Sequence, residues 1–155
     1  MGSCSAPVRS PNWCRVSRVT EHFDSHEFAQ PARHGFASCP YPDLWVAERL
    51  RPLCQQLEIL RAALRGRPIE IFSGYRSLEY NRAIKGARES QHLVGRAADI
   101  RAPGMGAQQL HGMIRILVEN GEITIGGLGL YPSFVHIDTR PGTRLARWSG
   151  SRKNA

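Results

Sequence analysis

The sequence predicts an α+β fold, in which one small domain has a mainly antiparallel sheet flanked by helices. The 155 residues suffice for one domain with a modest core, and no repeat or linker divides them. Helical and strand patterns are mixed without the regular strand–helix–strand order of a parallel sheet. Several predicted strands also follow hairpin-type turns, which favours antiparallel pairing.

The first part of the chain is predicted to contain an arm and a helical turn. Residues 1–18 are rich in Ser, Pro, Arg and Gly and show no periodicity, so we predict a flexible N-terminal arm. The domain then covers residues 19–150. Residues 21–28 are predicted to form a short helical turn that places Phe23 and Phe28 on the core.

A long helical pattern follows a Pro- and Gly-rich stretch. Asp43 is a candidate N-cap, and leucines recur at helical spacing as far as Leu64. Pro52 lies inside this pattern, so the helix either kinks there or restarts near Arg51. Gly66 is predicted to end it.

The second part of the chain is predicted to supply the sheet. Residues 107–120 form an amphipathic helix with Gly121 as its C-cap, and residues 78–84 form one or two helical turns. Residues 151–155 are predicted to be a polar tail. In chain order, the predicted strands are 68–72, 97–100, 123–131, 134–138 and an edge strand at 145–148.

Composition limits the classes of partner. The net charge of +8 and a pI near 10.0 favour polyanionic partners, among them nucleic acids, anionic lipids and cell walls. The arginines are scattered, however, and no dense basic run contains interleaved aromatic residues, so we expect no nucleic-acid binding. No stretch reaches the ~18–20 apolar residues that a membrane span requires.

The four cysteines do not form a redox or zinc motif. Cys4, Cys14, Cys39 and Cys54 include no Cys-x-x-Cys pair. Two disulfides suit an exported protein, and free thiols suit a cytosolic one. The sequence leaves this choice open, although the position of Cys54 in a helical pattern favours a small core residue.

The segment from Ser90 to Asp99 contains two candidate metal ligands. His92 and Asp99 lie seven residues apart, with Gly95 between them and two alanines directly before the aspartate. This spacing lets a loop turn at Gly95 and enter a strand at Ala97. The imidazole and the carboxylate, both common zinc ligands, can then point at one centre.

A second segment, residues 134–138, supplies the third candidate. On a strand, His136 and Asp138 share one face, because side chains two residues apart point the same way. Taken singly, each of these residues is more often a hydrogen-bonded core group or a cap. Three ligands from two segments with an open fourth position are nevertheless typical of a catalytic zinc site. We therefore predict that Zn²⁺ is held by His92, Asp99 and His136 in a cleft of the sheet.

Several spaced motifs together resemble a known family. The chain resembles the zinc D-Ala-D-Ala carboxypeptidase family, in the branch found in bacterial periplasmic proteins and in phage lysis or tail proteins. The likeness runs from about Phe23 to Trp148, and the family's ligands correspond to His92, Asp99 and His136. The motifs that carry it are Phe72-Ser-Gly-Tyr-Arg-Ser77, Asn81, Ser90-x-His92, Asp99 and Val135-His-Ile-Asp138.

The resemblance also implies roles for residues around the metal. Arg76 is implied to contact the substrate carbonyl or carboxylate and to stabilise the oxyanion. Ser90 is implied to hold the substrate C-terminus. From the residues alone, Tyr75 is a candidate substrate-binding residue and Tyr131 a candidate lining residue, with core packing as the alternative for both.

One position departs from the family pattern. Much of the family has an acidic general base three residues before the second histidine, where this chain has Ser133. Asp138 is the substitute base, or else it anchors the ring of a ligand histidine, and the sequence does not separate these roles. Glu89 and Glu122 are weaker candidates for the base.

The resemblance implies a zinc metallopeptidase that hydrolyses peptide bonds in peptidoglycan stem peptides. The zinc ion is expected to lower the pKa of water from ~15.7 toward ~7. The alternative is a non-catalytic zinc module that binds the cell wall, because the signalling domain of Hedgehog proteins is similar in this core and works by binding. A basic nucleic-acid binder is the reading that the sequence favours least.

The sequence leaves the bond, the origin and the export route open. A carboxypeptidase, an L-alanyl-D-glutamate endopeptidase and a cross-link endopeptidase share these ligands. We expect a monomer that acts at the cell wall, in the periplasm or outside the cell. Residues 1–15 contain no apolar signal segment, so we expect release by a phage or a leader that is absent from this sequence.

Overall fold

The computed structural model describes residues 17–151, which form one five-stranded sheet with helices. The strand order is β1-β2-β4-β3-β5, and every neighbouring pair is antiparallel except the parallel pair of β3 and β5. This arrangement confirms the predicted α+β class. The strands are β1 (Glu70–Ser73), β2 (Ala97–Arg101), β3 (Gly127–Leu130), β4 (Val135–Asp138) and β5 (Ala146–Ser149). The α-helices are α1 (Arg51–Ala63), α2 (Leu78–Ala83) and α3 (Ala107–Glu119).

The predicted turn near the N-terminus is confirmed as a 3₁₀ helix at Ser25–Phe28. Phe23 and Phe28 are both buried, and their rings meet edge to face at 6.4 Å. Most of the predicted arm at 1–18 and of the tail at 151–155 lies outside the described residues.

The long helix begins later than the apolar pattern predicts. A 3₁₀ turn at Asp43–Trp45 and a π-helical turn at Val46–Leu50 precede α1. Asp43 as N-cap is therefore wrong, since it is the first residue of the 3₁₀ turn. The restart at Arg51 is confirmed, because Pro52 lies in the first turn of α1, where its missing N–H costs no hydrogen bond.

The core lies between one face of the sheet and the helices. Strand residues alternate, so most of the apolar side chains of β2 and β4 point to this face and the polar ones to the opposite face. Fully buried side chains from the helices and the strands form one cluster. They include Leu50, Leu53, Leu57 and Leu60 near α1, Leu110 and Ile114 in α3, and Ala98, Ile100, Leu128, Val135 and Ile137 in the strands.

The strand predicted at 123–131 is shorter than the pattern indicates. Only Gly127–Leu130 forms β3, although Ile123 and Ile125 are buried. The backbone N–H of Thr124 donates to the side chain of Gln56 instead of to a neighbouring strand. The hairpin that joins β3 to β4 is confirmed, since Tyr131 N–H donates to the carbonyl of Phe134 at 3.1 Å.

The described cysteines differ in their state. Cys54 is a free, fully buried thiol on α1, as its helical position predicts. Burial raises its pKa, so the thiol is protonated and packs as a small apolar group. Cys39 forms a disulfide bond. Between residues 17 and 151, no helix has the length and apolar content needed to cross a bilayer.

Glu58 on α1 fastens the segment that precedes the first 3₁₀ helix. Its Oε1 accepts hydrogen bonds from Thr20 Oγ1 at 2.7 Å and from His22 N–H at 2.8 Å, and its Oε2 lies 2.8 Å from His22 Nδ1. Partial burial raises the pKa of Glu58, but these hydrogen bonds outweigh burial and lower it below 4.5. The folded chain therefore stabilises the charged form.

We expect Glu58→Gln to destabilise the fold by about 1–2 kcal/mol at pH 7, because a neutral amide replaces the charged carboxylate that makes the three contacts. A lowered folded-state pKa means that this contribution is present above pH 4.5 and disappears as the pH falls through the folded pKa. Urea unfolding at pH 7 and at pH 3 measures both effects. Glu48→Gln, at an exposed position, is the matched control, and an undiminished difference at pH 3 contradicts the assignment.

Candidate metal centre

The site is built on one row of residues that crosses all five strands. Ser73 of β1 pairs with Asp99 of β2, which pairs with His136 of β4. His136 in turn pairs with Gly129 of β3, which pairs with Trp148 of β5. Directly paired residues point to the same face of a sheet, so the strand register alone brings Asp99, His136 and Trp148 together.

The remaining candidate ligand, His92, comes from the loop before β2. Gly95 turns this loop with a φ of +70°, as the sequence predicts, and its carbonyl accepts a hydrogen bond from Tyr41 Oη at 2.6 Å. A Cβ at this glycine would lie 2.5 Å from the same Oη, so both the backbone angle and the space require glycine. His92 Nδ1 lies 2.6 Å from the carbonyl oxygen of Gly74, which fixes the ring.

Three polar atoms meet at the centre of the site. His92 Nε2 lies 3.1 Å from Asp99 Oδ1 and 3.2 Å from His136 Nδ1, and His136 Nδ1 lies 2.9 Å from Asp99 Oδ1. All three residues are buried, with exposed fractions of 2–6%. The other ring nitrogen of each histidine has an acceptor of its own, Gly74 O for His92 and Asp138 Oδ2 for His136. The nitrogens that face each other are therefore left as acceptors.

This donor set fits a divalent metal ion. Three acceptors that converge repel one another unless a positive charge lies between them. A metal ion can bind a lone pair of all three acceptors, whereas a proton bridges only one pair. Two ligands held about 2.0–2.1 Å from a tetrahedral zinc are separated by roughly 3.3 Å, close to the distances observed here. His92, Asp99 and His136 form the one group of this kind among the described residues, and no fourth His, Cys, Asp or Glu of residues 17–151 joins it.

The pKa values of the three groups are shifted in different directions. Burial, with the nearby Arg76 guanidinium, lowers the pKa of His92 to about 4, so its imidazole is neutral at neutral pH. Burial would raise the pKa of Asp99, but the adjacent His92 and His136 imidazoles outweigh burial and hold it well below its usual range. Burial lowers the pKa of His136, and its bonds to Asp138 and Asp99 outweigh burial and raise it. A proton at His136 Nδ1 would occupy the place of the metal ion.

Arg76 binds the carboxylate oxygen of Asp99 that the histidines do not contact. Its Nη2 donates to Asp99 Oδ2 at 2.6 Å, and its Nε donates to Ser73 Oγ at 3.0 Å. The guanidinium is buried, with a side-chain exposure of 7%. Arg76 therefore leaves Oδ1 of the carboxylate directed at the other ligands. It also lines the pocket over the site.

Asp138 holds the second histidine through both of its oxygens. Oδ2 lies 3.0 Å from His136 Nε2 and accepts from Arg140 Nη2 at 2.6 Å. Oδ1 accepts from the backbone N–H of Arg140 at 3.1 Å and from its Nε at 2.8 Å. Burial would raise the pKa of Asp138, but these bonds from Arg140 and His136 lower it well below its usual range. Asp138 is thus a fully buried, fully bonded carboxylate.

A pocket opens over the three ligands, which all contribute to its lining. One side is formed by the loop that precedes His92. It contains Gly86, Ala87, Glu89, Ser90 and Gln91. Ser90 thus lies where substrate contact was predicted, and its Oγ accepts from the backbone N–H of His92 at 3.3 Å.

Aromatic side chains and the guanidinium of Arg140 form the other side of the pocket. Tyr131 stacks on Phe134, with ring centroids 4.5 Å apart and an interplanar angle of 11°. Trp148 lies over Gly129, at which a Cβ would come within 2.6 Å of the indole, and its ring centroid is 5.1 Å from that of His136. Trp148 therefore lines the pocket as well as packing against Gly129.

Tyr75 and Asn81 lie outside this lining. Tyr75 is buried, and its ring packs edge to face against Tyr41 and Trp45 at 6.2 and 5.9 Å, which matches the core alternative. Asn81 is buried and donates through Nδ2 to the carbonyl of Ala87, so it supports the loop of the pocket.

Arg140 is the functional neighbour that the sequence reasoning missed. It lines the pocket, stacks against Trp148 at 5.4 Å and bonds to Asp138. A usable signal was present, since Arg140 follows Asp138 by two residues at the end of a predicted strand. Spacing alone, however, does not show which cation turns back onto which carboxylate.

Comparison with known proteins adds a family to this geometry. The sequence profile of the peptidase M15 family matches residues 14–138. The chain is 33% identical over 97 residues to the peptidoglycan L,D-endopeptidase MepK of Escherichia coli strain K12, which covers 57% of this chain and 50% of that protein. It is 35% identical over 68 residues to the zinc D-Ala-D-Ala carboxypeptidase of Streptomyces albus G, which covers 40% of this chain and 27% of that protein. The chain spans about half the length, or less, of these curated relatives.

We expect the wild-type chain to bind about one zinc ion and each of His92→Ala, Asp99→Ala and His136→Ala to lose it, because a site of three donors rarely tolerates the loss of one. Atomic absorption after dialysis against micromolar zinc measures the bound metal. His26→Ala, at an exposed histidine, is the matched control. Full zinc content in any of the three variants removes that residue from the ligand set.

Proposed function

The chain belongs to the peptidase M15 family, and we propose that it is a zinc-dependent peptidase that hydrolyses peptide bonds in peptidoglycan stem peptides. The observation that supports the proposal most directly is the convergence of His92, Asp99 and His136 beneath an open pocket. The names of the two relatives, a peptidoglycan endopeptidase and a zinc carboxypeptidase, point to the same substrate class. We propose action at the cell wall. A monomeric state stays a prediction.

When bound, zinc would supply a Lewis acid that polarises the scissile carbonyl and lowers the pKa of water, so that hydroxide is available for attack at neutral pH. The chain's own residues prepare this chemistry. Gly74 O holds the ring of His92 and Asp138 holds the ring of His136, so that one nitrogen of each ring is directed at the centre of the site. Arg76 keeps Asp99 ionised and oriented. A direct contact of Arg76 with the substrate carbonyl stays a prediction.

We assign Asp138 a positioning role and the proton-accepting role to Glu89. Both oxygens of Asp138 are engaged by His136 and Arg140, and Asp138 is absent from the pocket lining. Glu89 lines the pocket, is exposed, and is the carboxylate there besides the ligand Asp99. We propose that its carboxylate takes the proton of the attacking water and returns it to the leaving amine. Ser90, on the same loop, is proposed to contact the substrate.

The proposed function is tested on purified peptidoglycan and on defined stem peptides. We expect the zinc-loaded chain to release peptide fragments, the chelator 1,10-phenanthroline to stop the release, and added zinc to restore it. Mass spectrometry identifies the bond, because loss of a terminal D-Ala, release of L-Ala and opening of a cross-link give different masses. Intact peptides with fully zinc-loaded protein contradict the proposal and favour a module that only binds.

The roles of Asp138 and Glu89 are distinguished by measuring zinc affinity and kcat for a variant of each residue. Asp138→Asn is expected to weaken zinc affinity by about 10- to 100-fold while keeping most of kcat at saturating zinc, as expected of a residue that orients a ligand. Glu89→Gln is expected to keep its zinc affinity and to lose about 10²- to 10⁴-fold in kcat. Zinc titration by calorimetry and kcat at saturating zinc measure the two. A large kcat loss in Asp138→Asn at full zinc loading instead makes Asp138 the base.

A further inference from the structure

We propose that the Tyr131 hydroxyl donates a hydrogen bond to the carbonyl oxygen of the scissile bond as that oxygen gains negative charge. The inference rests on the proposed peptidase function and adds a catalytic residue to it. Its structural basis is the Tyr131–Trp148 hydrogen bond on the aromatic side of the pocket.

The direction of this hydrogen bond follows from the chemistry of the two groups. Trp148 Nε1 lies 3.0 Å from Tyr131 Oη, and an indole N–H can only donate. Tyr131 Oη is therefore the acceptor in this bond, and its own hydrogen is left over. Within residues 17–151 no acceptor bonds to that hydrogen, so it is available to a group in the pocket.

The hydroxyl is held in one place before any substrate arrives. The Tyr131 ring stacks on Phe134 at 4.5 Å and is nearly parallel to it. On another side it packs against Gly150, where a Cβ would collide with the ring. Such a fixed dipole costs little reorganisation when charge develops, which is what makes oxyanion donors effective.

The hydroxyl is also tied to the metal centre. Trp148 lies in the same row across the sheet as His136, and their ring centroids are 5.1 Å apart. Tyr131, Trp148 and His136 line one pocket. The competing donor, the Arg76 guanidinium, already donates through Nη2 to Asp99 and through Nε to Ser73. Tyr131 therefore adds a neutral donor to a centre at which the Arg76 guanidinium is already bonded to Asp99 and Ser73.

The step balances without any further reactant. The oxygen of the attacking water forms a bond to the carbonyl carbon, the π-electron pair moves to the carbonyl oxygen, and the water proton passes to Glu89. Tyr131 donates a hydrogen bond to the charged oxygen and keeps its proton. When the carbonyl re-forms, the C–N bond breaks and the proton on Glu89 goes to the leaving amine.

The first test is Tyr131→Phe, which removes the hydroxyl and keeps the ring. We expect kcat to fall about one hundredfold, with KM and zinc content nearly unchanged, because the bond forms only as charge develops. Trp148→Phe removes the N–H that orients the hydroxyl, and its kcat is expected to fall by a smaller factor of up to roughly tenfold. Tyr80→Phe, the same change at a buried tyrosine outside the pocket, is the matched control.

The second test measures binding without turnover. A phosphinate stem-peptide analogue carries a charged tetrahedral oxygen in place of the scissile carbonyl. We expect Tyr131→Phe to weaken its binding in calorimetry about one hundredfold. The same variant is expected to leave the affinity for the reaction products unchanged.

The results separate failure of this inference from failure of the proposed function. If the wild-type chain cleaves stem peptides and Tyr131→Phe keeps its kcat, the assignment of Tyr131 is overturned while the peptidase proposal stands. A raised KM with unchanged kcat, or equal weakening of analogue and product binding, also overturns it, because both indicate ground-state contact. Absence of cleavage by the wild-type chain instead contradicts the proposed function.

Discussion

Two imidazole nitrogens and one carboxylate oxygen face each other at 2.9–3.2 Å, each with a lone pair directed inward. The outer contacts enforce this arrangement, because Gly74 O and Asp138 take the outward N–H of His92 and His136. A buried group of acceptors is unfavourable unless a cation lies at its centre. The loop before β2, the strand register and the polar contacts around the ligands all serve this requirement.

The register of the sheet is consequently part of the chemistry. Asp99 and His136 are direct partners on β2 and β4, and the row continues to Trp148 on β5. A shift of one residue would turn these side chains into the apolar core and move Ile100 or Ile137 to the surface. The same apolar residues that build the core thus fix the alignment of the site. Stability and chemistry depend here on one set of strand pairings.

The parts of the site that the sequence could predict are those set by local rules. Strand alternation placed His136 and Asp138 on one face, and the glycine at position 95 indicated the turn after His92. Contacts between distant segments were beyond these rules. Tyr75 has the same local context as Arg76 but packs into the core, and Trp148 reaches the pocket only because β5 pairs with β3 across Gly129.

The fold was predictable to a similar extent. The helices, the hairpin and the edge strand follow from apolar spacing and turn residues, whereas their ends depend on tertiary hydrogen bonds. Thr124 illustrates this, since its N–H bonds to Gln56 and the strand starts later than its apolar pattern. The 3₁₀ and π turns before α1 leave Leu44 91% exposed despite its helical spacing.

The ion pair between Arg76 and Asp99 also sets the electrostatic balance of the pocket. A guanidinium stays charged at any physiological pH, so it cancels the negative charge of the carboxylate, and Arg140 does the same for Asp138. A divalent ion held by this chain would therefore keep nearly all of its double charge, and Glu89 is the further carboxylate among the described residues that line the pocket. Such a cavity attracts ligands that carry carboxylates and repels cationic ones. Selection among ligands can therefore begin with their charge, before any side chain is fitted.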